Sequence, residues 1–154
     1  MTADLKLPDA AATARLGAAL AAGVEPGRVM HLSGDLGTGK TTLVRGLLRA
    51  LGVTGPVKSP TYTWVEPYTI SRLDLYHFDF YRFNDRTEWL SSGLREYFGP
   101  DAFCIVEWPE KAGALLPPPD VTVNLNYDGE SRRASIESHS PAGESWLSSL
   151  PPSL

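Results

Sequence analysis

A chain of 154 residues with a hydrophobic fraction of 42% and a charged fraction of 21% has the size and composition of one globular domain with a real core. Its net charge of −4 makes it a poor nucleic-acid binder by itself, because phosphate contacts need clustered Lys and Arg. One cysteine, Cys104, excludes an internal disulfide, and its apolar neighbours mark it as a core thiol.

The start, MTADLKLPDAA, carries no secretory pattern, and no apolar run is long enough to span a membrane, so a reducing cytoplasm is the expected setting. Asp9 is the expected cap of a helix over residues 10–22, with Leu16, Leu20 and Val24 on one stripe and Gly23 at its end. VMHLSG reads as a short buried strand running into glycines. Residues 41–51 read as the next helix, with Leu43, Leu47 and Leu51 in line and Gly52 as its stop. VTGPVKSPTYTWVEPY is a loop that becomes extended. ISRLDLYHFDFYRF alternates as a strand, with His77, Asp79 and Tyr81 on one face. Asn84 or Asp85 caps a short helix through RTEWLSSGLREYF. AFCIVEW is a buried strand ending in an acid, and DVTVNLNYDGESRRASIES is a hairpin turning at Asp128-Gly129. Ser, Pro and Gly enrichment points to a loosely ordered tail over residues 140–154. No linker divides the chain, so residues 1–154 form a single domain.

The chemistry centres on GDLGTGKTT. Gly34, four residues, then Gly39, Lys40 and Thr41 is the spacing of a nucleoside-triphosphate phosphate loop, here in the required context of strand, loop and amphipathic helix. Glycines let backbone N–H groups turn inward around phosphate oxygens, Lys40 supplies a point charge, and the Thr41 hydroxyl can ligate magnesium. Lys40 is expected to face solvent until an anion arrives. A second acidic strand end is needed to organise magnesium, and FCIVE offers Glu107 where such enzymes more often use Asp. Asp79 either holds a water at the site edge or belongs to a cross-strand polar cluster that sets register. Thr61, behind Pro60, is either a γ-phosphate sensor on a switch-like loop or an ordinary turn threonine. The guanine-reading N-K-x-D and D-x-x-G patterns do not occur, which favours ATP. The histidines His31, His77 and His139 show no metal-ligand spacing with the cysteine.

GDLGTGKTT, SPTYTWVEPY, YHFDFYR and VEWPEK resemble, in this order and spacing, the bacterial TsaE (YjeE) family, ATPases required for tRNA threonylcarbamoyladenosine biosynthesis. The resemblance runs from about residue 7 to residue 136. It implies a P-loop NTPase-like α/β fold: a mixed sheet flanked by helices, with a C-terminal β-hairpin. It implies that Gly37, Thr38, Gly39, Lys40, Thr41 and Thr42 hold the phosphates of ATP, and that Thr41 and Glu107 hold Mg2+. Asp79 is then a catalytic or water-orienting acid, and Trp108 lies near the nucleotide. Arg132, with Arg133 next to it, matches a hairpin arginine that approaches the nucleotide, and Leu7 matches an apolar residue near the adenine. The implied partners are TsaB and TsaD, which transfer threonylcarbamoyl to adenosine 37 of tRNAs reading codons that start with A. The ATPase binds that pair and lets it turn over, so tRNA is met only through the complex, in keeping with the acidic charge.

Two other readings compete. A small-molecule P-loop kinase would use Arg82 and Arg86 as part of a lid, yet the chain shows no acceptor-pocket signature and no long lid. A nucleotide-gated binding module with negligible hydrolysis shares every ligand with a weak ATPase.

Overall fold

Short runs of apolar and β-branched residues build a mixed sheet that helices cover on both faces. The computed structural model describes residues 1–154 except Thr61, Ser71, Arg72 and Asp85, and except the side chain of Arg86. Its strands are β1 (Thr2–Leu7), β2 (Val29–Ser33), β3 (Val65–Ile70), β4 (Leu73–Asp79), β5 (Ala102–Glu107), β6 (Val121–Asp128) and β7 (Ser131–Ser138). Among the described residues they form one seven-stranded sheet in the spatial order β1-β7-β6-β2-β5-β4-β3. β2 runs parallel to β5 and β6, and β4 parallel to β5. The pairs β1–β7, β6–β7 and β3–β4 are antiparallel. β5 is buried at every position, as a central strand with both faces covered must be.

The helices are α1 (Ala10–Leu20), α2 (Lys40–Ala50), α3 (Arg86–Ser92) and α4 (Pro141–Ser148). The Asp9 carboxylate caps α1 by accepting the Ala12 N–H at 2.8 Å. Alternation sorts the sheet's side chains between two cores. Met30, Leu32, Phe103, Ile105 and Val123 pack with Leu16, Leu43 and Leu47 of α1 and α2. Val29, Cys104, Val106 and Phe78 face the other way, onto Trp89 and Leu94. The first two helices cross so closely that a Cβ on Gly17 would stand 2.0 Å from the Leu43 carbonyl oxygen. Cys104 is a core thiol as expected, 1% exposed and pushed up to about 12 by burial.

Two elements depart from the sequence reading. Within residues 140–154 the stretch Pro141–Ser148 is the ordered helix α4: Ser140 caps it by accepting the Gly143 N–H at 3.0 Å, and Trp146 is 1% exposed. Its indole N–H donates to the Leu20 carbonyl at 2.9 Å, fixing the tail to the end of α1. Ser140-Pro141, at the cap and first helical position, is the local signal that overrides the loop-like composition. The start, unassigned by pattern, is β1, an edge strand whose partner β7 comes from the far end of the chain.

A histidine on β2 leads to an expected loss of stability in acid. The His31 Nε2 is buried without a hydrogen-bond partner among the described residues, and burial, then the charge of His139, lowers its pKa to about 4. Between its unfolded value of 6.5 and about 4, the unfolded chain takes a proton that the folded chain refuses. Stability therefore falls as pH falls through that window, by at most on the order of 3 kcal/mol. His31→Gln is expected to flatten this fall. Parallel losses for parent and variant in a melting series from about pH 7 to about pH 4 would assign the acid sensitivity to another group.

Candidate functional site

β2 leaves the sheet at Ser33 and the chain enters the glycine loop at once. Gly37 (φ 82) and Gly39 (φ 108) are left-handed, which favours glycine at both positions. Gly39 is also the cap of α2, so this 11-residue helix opens its positive end onto the loop. Thr38 is buried and works inside the turn, its hydroxyl donating to the Asp35 carbonyl at 2.8 Å and its N–H at 3.2 Å to the same oxygen.

Register brings two carboxylates to this loop. Glu107 at the end of β5 lies opposite Leu32 of β2 on one side and opposite Asp79 of β4 on the other. Loop and acids thus share the C-terminal ends of the parallel strands, where open α/β sheets place their ligands. Asp79 is 5% exposed; its Oδ1 accepts the Tyr81 N–H at 2.9 Å, and the Ser59 hydroxyl donates to its Oδ2 at 3.4 Å. Burial raises its pKa and the Glu107 charge adds to this, against the Tyr81 N–H and the charges of His77 and Lys40. Glu107, 3% exposed, sets its Oε2 2.5 Å from Nε2 of the buried His77. The other His77 ring nitrogen has no partner among the described residues. The strand face thus carries a cross-strand polar pair from His77 to Glu107, and Asp79 lines the cleft beside it.

Lys40 is not solvent-facing. It is 7% exposed, donates to the Gly34 carbonyl, and places Nζ 4.3 Å from the centre of the Trp108 ring. The indole covers the cation because Trp108 is left-handed (φ 55) directly after β5, and Tyr81 packs on it at 5.0 Å. Burial lowers the Lys40 pKa, while Glu107 and then Asp79 oppose the shift.

Two clefts meet at the loop. One, of about 520 Å³, is lined by Gly37, Gly39, Lys40, Thr41, Thr42, Asp79, Glu107 and Trp108. The other, of about 190 Å³, adds Leu7, Thr38 and Arg132 on the far side of Gly37 and Gly39. Leu7 and Arg132 are cross-strand partners, so β1 is what brings the N-terminal residue to the site. Arg132, not Arg133, faces the loop: it reaches the Gly37 carbonyl at 3.4 Å, whereas Arg133 pairs with Asp4 at 2.9 Å. A larger depression of about 670 Å³, around Asp74, Tyr76 and Glu96, lies at the opposite ends of β4 and β5 and contains no loop residue. Thr61 lies outside the described residues. Sequence reasoning missed Tyr127, whose hydroxyl donates to the Leu36 carbonyl at 2.6 Å; nothing local distinguishes it from any hairpin tyrosine. Among the described residues no cluster of three His, Cys, Asp or Glu side chains could hold a metal, and no helix is long and apolar enough to cross a membrane.

A strand, a glycine loop, a helix and acids at the neighbouring strand ends define a phosphate-loop α/β fold. Comparison with known proteins narrows this. The family model described as threonylcarbamoyl adenosine biosynthesis protein TsaE matches residues 7–135. The chain is 43% identical over 122 residues to the tRNA threonylcarbamoyladenosine biosynthesis protein TsaE of Haemophilus influenzae, covering 79% of this chain and 77% of that one. It is 42% identical over 122 residues to the protein of the same name from Bacillus subtilis, covering 79% and 74%. The crystal structure of Bacillus subtilis YdiB superposes with a TM-score of 0.82 at 28% identity, covering 96% of this chain and 93% of that one. The chain belongs to the TsaE family of threonylcarbamoyl adenosine biosynthesis proteins.

Proposed function

We propose that the chain is a slow ATPase that binds Mg-ATP at the loop and supports the TsaB–TsaD transferase in making threonylcarbamoyladenosine in tRNA. The carrying observation is the convergence of Lys40, Asp79 and Glu107 on one cleft with the glycine loop and the Thr41 end of α2. The donor set fits the group: glycines open the loop to an anion, and Lys40 has no carboxylate within ion-pair distance among the described residues. Thr41 and Glu107 offer the hard oxygens that suit magnesium.

In this reading Lys40 leaves the Gly34 carbonyl for the β- and γ-phosphates, and the remaining loop residues and Thr42 bind phosphate oxygens. Bound magnesium would neutralise developing charge on those oxygens, with Thr41 and Glu107 as its protein ligands. Asp79, already oriented by Tyr81 and Ser59, holds the attacking water. Arg132 and Leu7 border the base and ribose side, and Trp108 shields Lys40 from solvent. Thr61, behind Pro60, is the γ-phosphate sensor.

The test is phosphate release from ATP with no acceptor, with and without the TsaB–TsaD pair. Release without acceptor that rises with the pair supports the reading; strict dependence on a small-molecule acceptor points to a kinase, and release never above background points to a gated module. Linkage adds a second measurement. The pair's affinity should differ between a non-hydrolysable ATP analogue, ADP and no nucleotide by about 1–3 kcal/mol. Asp79→Asn is expected to slow hydrolysis by about a hundredfold while ATP affinity changes less than about twofold. Equal losses in rate and affinity would make Asp79 structural.

A further inference from the structure

The hairpin tip touches the phosphate loop at consecutive carbonyls. The Tyr127 hydroxyl donates to the Leu36 carbonyl at 2.6 Å, and Arg132 Nη2 donates to the Gly37 carbonyl at 3.4 Å. Tyr127 and Arg132 are cross-strand partners beside the Asp128-Gly129 turn, and the guanidinium sits 4.4 Å from the centre of the tyrosine ring. The ring is 52% exposed, so little apolar burial explains its place. The contact also shapes the loop's sequence, since a Cβ on Gly37 would stand 2.9 Å from the Tyr127 hydroxyl.

A trans peptide sets the carbonyl of one residue and the N–H of the next on opposite sides. Anchoring the Leu36 carbonyl on the hairpin therefore turns the Gly37 N–H away from it. Gly37 also lines the cleft of about 520 Å³, whose lining includes no hairpin residue, so a donor turned from the hairpin is turned toward that cleft. The Thr38 N–H is already spent on Asp35, which makes the Gly37 donor the one whose aim depends on the hairpin.

We propose that Tyr127 is a positioning residue of this site, its hydroxyl fixing the Leu36 carbonyl so that the Gly37 N–H is aimed at a phosphate oxygen of the bound nucleotide. The proposal rests on the nucleotide reading of the clefts. It assigns β6–β7 a function beyond presenting Arg132: the hairpin preorganises the loop before the ligand arrives, as an oriented donor needs.

Tyr127→Phe removes the hydroxyl and keeps the ring under Arg132. Affinity for Mg-ADP and for a non-hydrolysable Mg-ATP analogue, read by titration calorimetry, is expected to weaken by about five- to tenfold. The melting temperature should not move, amide exchange at residues 36–39 should speed up, and exchange along β6 and β7 should not. The same loss is expected when Tyr127→Phe is made in an Arg132→Ala background. Parental affinity in the single variant overturns the proposal, and so does a loss that vanishes without Arg132, since the hydroxyl then acts only through the arginine. A parent chain that binds neither nucleotide instead defeats the nucleotide reading itself.

Discussion

Lys40→Ala is expected to weaken Mg-ATP binding by roughly a hundredfold, about 3 kcal/mol, while the fold persists. Nζ belongs to a buried lysine of the cleft of about 520 Å³, 7% exposed and enclosed by the Gly34 carbonyl and the Trp108 ring. Its present partners are neutral, so moving to phosphate exchanges a carbonyl and a ring face for full negative charge. Burial already lowers its pKa, and an arriving anion reverses that by favouring the charged form. Alanine removes this charge from the cleft and leaves the helix contacts of Leu43 and Leu47 intact. Titration calorimetry alongside a thermal melt separates these effects. A folded variant with the parent's affinity for Mg-ATP would remove the phosphate-loop reading altogether.

Glu107→Gln is expected to reduce hydrolysis by about a hundredfold or more, with metal-free nucleotide affinity changed by less than about threefold. The loop supplies most ground-state contacts, whereas the Glu107 charge matters where magnesium must be held as negative charge shifts between oxygens. The glutamine keeps the shape of the side chain, and its carbonyl oxygen can still accept from His77 Nε2. The strand ends should therefore stay in place, and the loss should be one of charge. The half-saturating magnesium concentration should rise together with the fall in rate. Steady-state phosphate release across a magnesium titration, set beside calorimetry with ADP in chelator, reads both quantities. An unchanged magnesium requirement would leave Glu107 as the core partner of His77 and nothing more.

The sequence by itself determined the glycine loop, its helix and the acid-ended strand, because the signals there are local. Gly34 to Thr41 declares its turn and its helix within eight residues, and FCIVE declares a buried strand with an acid at its exit. Parallel pairing of β2 with β5 then carries that acid to the loop. Asp128-Gly129 fixed the hairpin for the same reason, since a tight turn is written in the residues that make it. What the tertiary structure decided depends on contacts between distant segments. β1 is a strand because β7 lies beside it, and only that pairing sets Leu7 against Arg132. The tail became α4 because Trp146 found Gly23 and Leu20 at the end of α1, a contact no composition argument contains. Lys40 is covered because the chain after β5 bends back with Trp108 left-handed, and Tyr127 reaches Leu36 across 91 residues of sequence. Periodicity and turn chemistry act over one or two turns of chain. The closing of one segment onto another is settled only when the sheet sets their distance.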